Sequence, residues 1–363
     1  MGEKNIIKQR NINIDLTKCI ATVCVICVHF FLNIEYYSEI MSGKRMILMT
    51  FIRTLSMICV PLFLVLTGYL MRNKKLSAKY YKGILHTILI YIIMSLFCII
   101  YKCTIGWEMS VEEVINSILN YSAAPYAWYV EMYIGLFIII PFLNVLYQNL
   151  ETKKNKEVLL LSLCSLIVLP TICNLNNTKY VPAFWVGIWP VLYYFVGSYI
   201  GEYRPKISSR LNFFLIIVVL MFNTGFIYMR CSGGYFEWNV YNDWYGWQNF
   251  LSTVLVFIFV QNIDLSRLPR IICSIVSYIA KLSLGIYLAS WIMDNWYYSY
   301  LLEKVPVLIM RLEYFPISVC IVFCGSLLLA SLGELLLQCL SWGFTRIYTC
   351  VIHNKRKQNE FSE

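Results

Sequence analysis

Residues 12–34 read INIDLTKCIATVCVICVHFFLNI. A helix needs about 20 mostly apolar residues to cross a bilayer, and this stretch is long enough. It also carries polar groups that lipid would not tolerate: Asp15, Lys18, Thr22, His29 and Asn33. At about 100° per residue they fall within one narrow stripe. Lys18 and His29 are close to three turns apart, so they project in the same direction, separated by roughly 16 Å along the axis. A charge at bilayer depth costs about 2.5–3.5 kcal/mol on insertion scales. The stripe must therefore face protein, and it is a candidate functional surface. Neutral imidazole accepts a proton near physiological pH, which makes His29 the natural base.

The rest of the chain repeats the apolar theme. Of 363 residues, 59% are hydrophobic and 14% charged. Soluble domains carry about 25% charged residues, and disordered chains are far less apolar. A disulfide scaffold does not fit either, because Cys19, Cys24 and Cys27 lie inside an apolar run. The fold class is therefore all-α, a polytopic bundle of about ten transmembrane helices. The spans fall near 12–34, 47–70, 83–101, 127–147, 158–173, 184–200, 211–228, 247–263, 271–293 and 316–348. Alternate connecting segments hold 20 of the 30 Lys and Arg, and the intervening segments hold seven. This alternation places the chain in the cell membrane with both termini cytoplasmic. It leaves the net charge of +10 without a need for nucleic acid. Residues 1–350 read as one membrane domain, followed by a basic cytoplasmic tail at 351–363. The first apolar stretch lacks the small-residue cleavage site of a signal peptide.

Other polar residues sit inside the expected spans. Arg53 lies at a depth similar to His29 and shares a face with Ser56 and Thr67. Glu131 enters from the outer end of the fourth helix, and Asp294 closes the outer end of the ninth. His29, Arg53 and Glu131 are thus expected to converge on one cavity. A structural Arg–Glu pair is the bland alternative. Lys281, with Ser277 and Tyr278, forms a second polar face. The outer segment RCSGGYFEWNVYNDWYG, residues 230–246, is dense in aromatic and polar side chains. It suits sugar contact or an interfacial aromatic belt. The sequence holds no Gly-rich nucleotide loop, no HExxH or paired CxxC metal spacing and no GxSxG elbow.

Five segments in order resemble acyltransferase family 3 of membrane proteins. The first contains Arg10, Asp15, Lys18 and His29; the family more often has Arg where Lys18 stands. The second is VPLFLVLTGYL at 60–70. The third is AWYVEMYIGL at 127–136, running on to Pro141. The fourth is WPVLYYFVG at 189–197. The fifth is LSLGIYL at 282–288, after which relatives often carry His where this chain has Ser290. The resemblance implies ten helices, an acetyl-CoA donor bound only as a co-substrate, and O-acylation of a hydroxyl on a cell-surface polysaccharide or lipid-linked sugar. It is to the stand-alone type without an SGNH domain. Membrane lipids and polysaccharide-synthesis machinery are the implied partners.

On this reading CoA phosphates rest on the basic inner face, at Arg10, Lys18, Arg72 and Lys74. His29 acts as general base or accepts the acyl group first. Arg53 stabilises the oxyanion or orients the acceptor, and Glu131 orients His29 or holds Arg53. The competing class is a transporter or exporter of a glycan or lipid-linked sugar, favoured by a broken helix near the midplane. A non-catalytic partner of a polysaccharide synthase is a third possibility.

Overall fold

A computed structural model describes residues 11–174 and 178–360, with side chains as far as 342. Arg10 and the tail side chains lie outside the described residues. Among the described residues there is no strand, only two isolated bridges, Ile40–Tyr235 and Met41–Ser232. The helices are α1 (Ile12–Asn33), α2 (Gly43–Ser56), α3 (Cys59–Met71), α4 (Ala78–Lys82), α5 (Leu85–Thr104), α6 (Val111–Leu119) and α7 (Trp128–Gln148). They continue as α8 (Lys153–Ile167), α9 (Leu169–Cys173), α10 (Trp189–Tyr203), α11 (Ser209–Cys231), α12 (Trp247–Asn262), α13 (Arg270–Lys304) and α14 (Phe315–Glu360). The chain is an all-α, multi-pass membrane protein.

Nine helical stretches among the described residues are long and apolar enough to cross a membrane. They match nine of the ten expected spans. The eighth, α12, has 16 residues, about 24 Å at 1.5 Å per residue, short of the roughly 30 Å hydrocarbon core. Its ends nevertheless lie at opposite levels of the bundle. Near its start, the Gln248 carbonyl accepts from Asn223 Nδ2 at 3.3 Å, toward the end of α11. At its finish, the Val260 and Ile263 carbonyls accept from Asn13 Nδ2 at 2.7 and 2.8 Å, at the beginning of α1. The chain therefore returns to the level of the α1 N-terminus before α13 begins.

That return lets α13 run parallel to α1. Ser277 Oγ donates to Asp15 Oδ2 at 2.6 Å, a sequence separation of 262. Ser290 Oγ lies 3.3 Å from His29 Nδ1, a separation of 261. A near-constant separation along both helices is the mark of parallel alignment. α1 also packs against α2, α3, α12 and α14. Its polar stripe thus faces protein.

The second span is interrupted at Met57 and Ile58 between α2 and α3. Pro61 explains the break: it has no N–H, and its ring crowds the carbonyl four residues earlier. α3 then meets α10 at two glycines. A Cβ on Gly68 would run into the Tyr194 carbonyl, and one on Gly197 into the Val65 carbonyl. Small residues facing each other let two membrane helices approach backbone to backbone.

Candidate active site

His29 sits near the C-terminal end of α1 and is 7% exposed. Tyr287, Ser290 and Asp294 share one face of α13 at helical spacing, and the parallel alignment lays that face against His29. Asp294 is fully buried. Its Oδ2 lies 3.4 Å from His29 Nδ1 and accepts from the Tyr126 hydroxyl at 2.9 Å. Its Oδ1 is buried without a partner. The Tyr126 ring covers the imidazole, with centroids 3.8 Å apart. The Tyr287 hydroxyl donates to the Tyr126 carbonyl. Asn33 Nδ2 donates to the His29 carbonyl at 2.8 Å. Burial, and then the Asp294 carboxylate, push the Tyr126 phenol well above the usual tyrosine range, so it stays a protonated donor.

This arrangement assigns the two imidazole nitrogens. Nδ1 faces a carboxylate that can only accept, which favours the proton on Nδ1. No hydrogen bond reaches Nε2 among the described residues. Nε2 is then the atom able to take a proton from a substrate, and Asp294 is placed to stabilise the imidazolium that results. The Ser290 hydroxyl donates to the Tyr287 carbonyl at 2.8 Å, which leaves its oxygen free to accept from Nδ1.

A cavity of about 270 Å³ leads toward this group from the other end of α1. Lys18, His86, Lys281 and Glu334 line it together with the hydroxyls of Thr67, Thr87 and Ser283; Tyr129 and Tyr287 also line it. Glu334 accepts from Lys281 Nζ at 2.8 Å and lies 3.3 Å from His86 Nε2. His29 does not line the cavity. Tyr287 does, and its ring centroid is 6.3 Å from that of His29. Lys18 and His29 therefore belong to one side of the bundle, joined by the cavity and the Tyr287 ring.

The expected meeting of His29, Arg53 and Glu131 does not occur by direct contact. Arg53 is 1% exposed. Its guanidinium lies 4.3 Å from the Phe236 ring centroid and 4.8 Å from that of Trp238. Its Nε donates to the Tyr37 hydroxyl at 3.2 Å, and its Nη2 is buried with no partner. Glu131 is exposed on the first turn of α7 and forms no ion pair among the described residues. The carboxylate that reaches His29 comes from α13, whose approach to α1 no local spacing reveals. Arg72 is half-buried and lines a separate cavity with Lys156 and Arg204. Gly201 makes room for its guanidinium, since a Cβ there would lie 2.7 Å from Nη1. The Lys74 side chain is exposed. Sequence reading passed over Tyr126 and Tyr287. The signal within reach was the spacing of Tyr287, Ser290 and Asp294, one helical face carrying three polar groups.

The fold defines a class, that of multi-pass membrane proteins built as a helical bundle, here with a buried His29–Asp294 pair near a cavity. The family's acyltransferase domain matches residues 11–331, and the chain belongs to acyltransferase family 3. Curated relatives are similar along much of their length. A probable poly-beta-1,6-N-acetyl-D-glucosamine export protein of Staphylococcus aureus strain Mu50 is 24% identical over 309 residues, which cover 80% of this chain and 85% of the relative. Its counterpart in strain MSSA476 is 25% identical over 249 residues, covering 64% and 69%. No solved structure matches the chain.

Proposed function

We propose that the protein transfers an acetyl or other short acyl group from acyl-CoA to a hydroxyl of a cell-surface polysaccharide or lipid-linked sugar. The observation that carries this reading is the buried His29–Asp294 pair beside the end of the cavity at Tyr287. The N-terminal end of α1 faces the cytoplasm. Acyl-CoA enters the cavity there, with Lys18 near its anionic part and the thioester toward Tyr287. Arg72 lies at the same membrane face for the phosphates; Arg10 and Lys74 are the remaining candidates for them. His29 Nε2 takes the proton of the acceptor hydroxyl. The oxygen bonds to the acyl carbon, the C–S bond breaks, and the departing sulfur recovers the proton from Nε2. Asp294 steadies the imidazolium meanwhile. The names of the relatives point to a β-1,6-linked N-acetylglucosamine polymer as the kind of acceptor.

Mass spectrometry of surface glycans tests this. Cells with the protein should carry sugars heavier by one acyl group than cells without it. His29→Ala should remove that increment with the protein still in the membrane. An unchanged increment in His29→Ala would falsify the scheme.

The interrupted second span and the printed name of the relatives favour a second reading, export of the glycan. It predicts that loss of the protein lowers surface polysaccharide while the acyl content per sugar stays constant.

A further inference from the structure

The loop between α11 and α12 carries aromatic rings that continue to His29. Trp238 meets Trp244 at 6.1 Å between centroids. Trp244 stacks on Trp128, also at 6.1 Å and an interplanar angle of 27°. Trp128 adjoins Tyr129 at 6.3 Å, Tyr129 meets Tyr287 at 6.1 Å, and Tyr287 is the neighbour of His29. Tyr129 and Tyr287 also line the cavity assigned to the donor. The rings therefore run from the far face of the bundle to the point where that cavity ends.

Two further features set this run apart from an interfacial belt. Trp238 opens onto a cleft of about 740 Å³, together with Tyr245, Asn174, Asn239 and Glu237. That volume falls in the usual range for small-molecule sites, about 300–1,000 Å³, and apolar rings with a few convergent polar groups are the usual lining. Trp238 is 40% exposed and Trp128 39%, so each leaves surface open. The second feature is Arg53. Its guanidinium packs on Trp238, yet its Nη2 is buried with no acceptor. A buried donor left unsatisfied is costly, and an oxygen supplied by a ligand removes the cost. Acyl chains of lipid offer no such oxygen.

We propose that the acceptor glycan lies along Trp238, Trp244 and Trp128. Its pyranose rings stack on the indoles, and one of its oxygens completes the hydrogen bonding of Arg53. The track delivers a hydroxyl to His29 from the face opposite the donor. It rests on the acyl-transfer reading and supplies its acceptor site.

The test uses the full chain in lipid nanodiscs and a β-1,6-linked N-acetylglucosamine pentasaccharide, with no donor present. Calorimetric titration should give a Kd that rises at least tenfold in Trp244→Ala and Trp128→Ala. Trp244→Phe, which keeps a ring, should recover most of the affinity. Trp296→Ala removes an exposed indole on α13 outside the run and should bind like the unaltered chain. Equal weakening by Trp296→Ala, no change in Trp244→Ala and Trp128→Ala, or no binding by the unaltered chain overturns the track. Binding through Trp244 by a chain that moves no acyl group would overturn the transferase reading and keep the track. Acyl transfer to this glycan with an unchanged acceptor KM in both tryptophan variants would do the reverse.

Discussion

Asp294 holds one carboxylate oxygen 3.4 Å from His29 Nδ1 and keeps the other buried without a partner. The pair joins two parallel helices that are 261 residues apart in sequence at Ser290. Asp294 accepts no lysine or arginine among the described residues. On the proposed reading its carboxylate is therefore left to stabilise an imidazolium at His29.

Asp294→Asn should preserve the packing and remove the charge. We expect kcat to fall by about 10²- to 10⁴-fold, the usual span for losing acid–base assistance. The KM for acyl-CoA should stay within a few-fold, because Asp294 does not line the donor cavity. Steady-state kinetics with a CoA-thiol readout separate the two constants.

Tyr126→Phe deletes the 2.9 Å hydrogen bond to Asp294 and leaves the ring over His29. A hydrogen bond to a charged group contributes about 1.5–3 kcal/mol, so kcat should drop roughly tenfold or more. Thermal unfolding in detergent should shift downward in parallel. Unchanged kinetics would show that the phenol does not orient the carboxylate.

Lys18 and Lys74 differ in placement, so their alanine variants should differ in effect. Lys18 lines the cavity, whereas Lys74 is exposed outside it. Lys18→Ala should raise the KM for acyl-CoA about tenfold, about 1.4 kcal/mol of lost attraction. Lys74→Ala should raise it far less. Equal KM values for the two variants would remove Lys18 from the donor site.

Gly68→Ala and Gly197→Ala test the α3–α10 contact rather than chemistry. Each added methyl would meet a facing carbonyl, and backbone yields less readily than a side chain. Overpacking costs typically about 1–3 kcal/mol. Both variants should lose yield and melt earlier on size-exclusion with heating, while Gly135→Ala, with open space around it, should behave as the unaltered chain.

Much of the architecture was legible because the bilayer imposes length and hydropathy locally. Nine of the expected spans are found as helices by those rules alone. The interruption at Met57 is a local effect of Pro61, yet it was read through because the apolar run continues across it. α12 shows the limit: it is shorter than a standard span, and its place follows from the bonds its ends make with α11 and α1.

The sequence by itself determined that α1 is a membrane helix with a polar stripe and that His29 lies deep on it. Composition, helical period and the high cost of charge in lipid require no partner to be known. Only the tertiary structure decided which group faces the imidazole. Asp294 does so because α12 brings the chain back and α13 runs parallel to α1. Glu131 stays on the surface of α7, and Arg53 is enclosed by the Tyr37 ring and by Phe236 and Trp238 of the distant α11–α12 loop. Such pairings arise from packing between distant segments, which a one-dimensional period cannot encode.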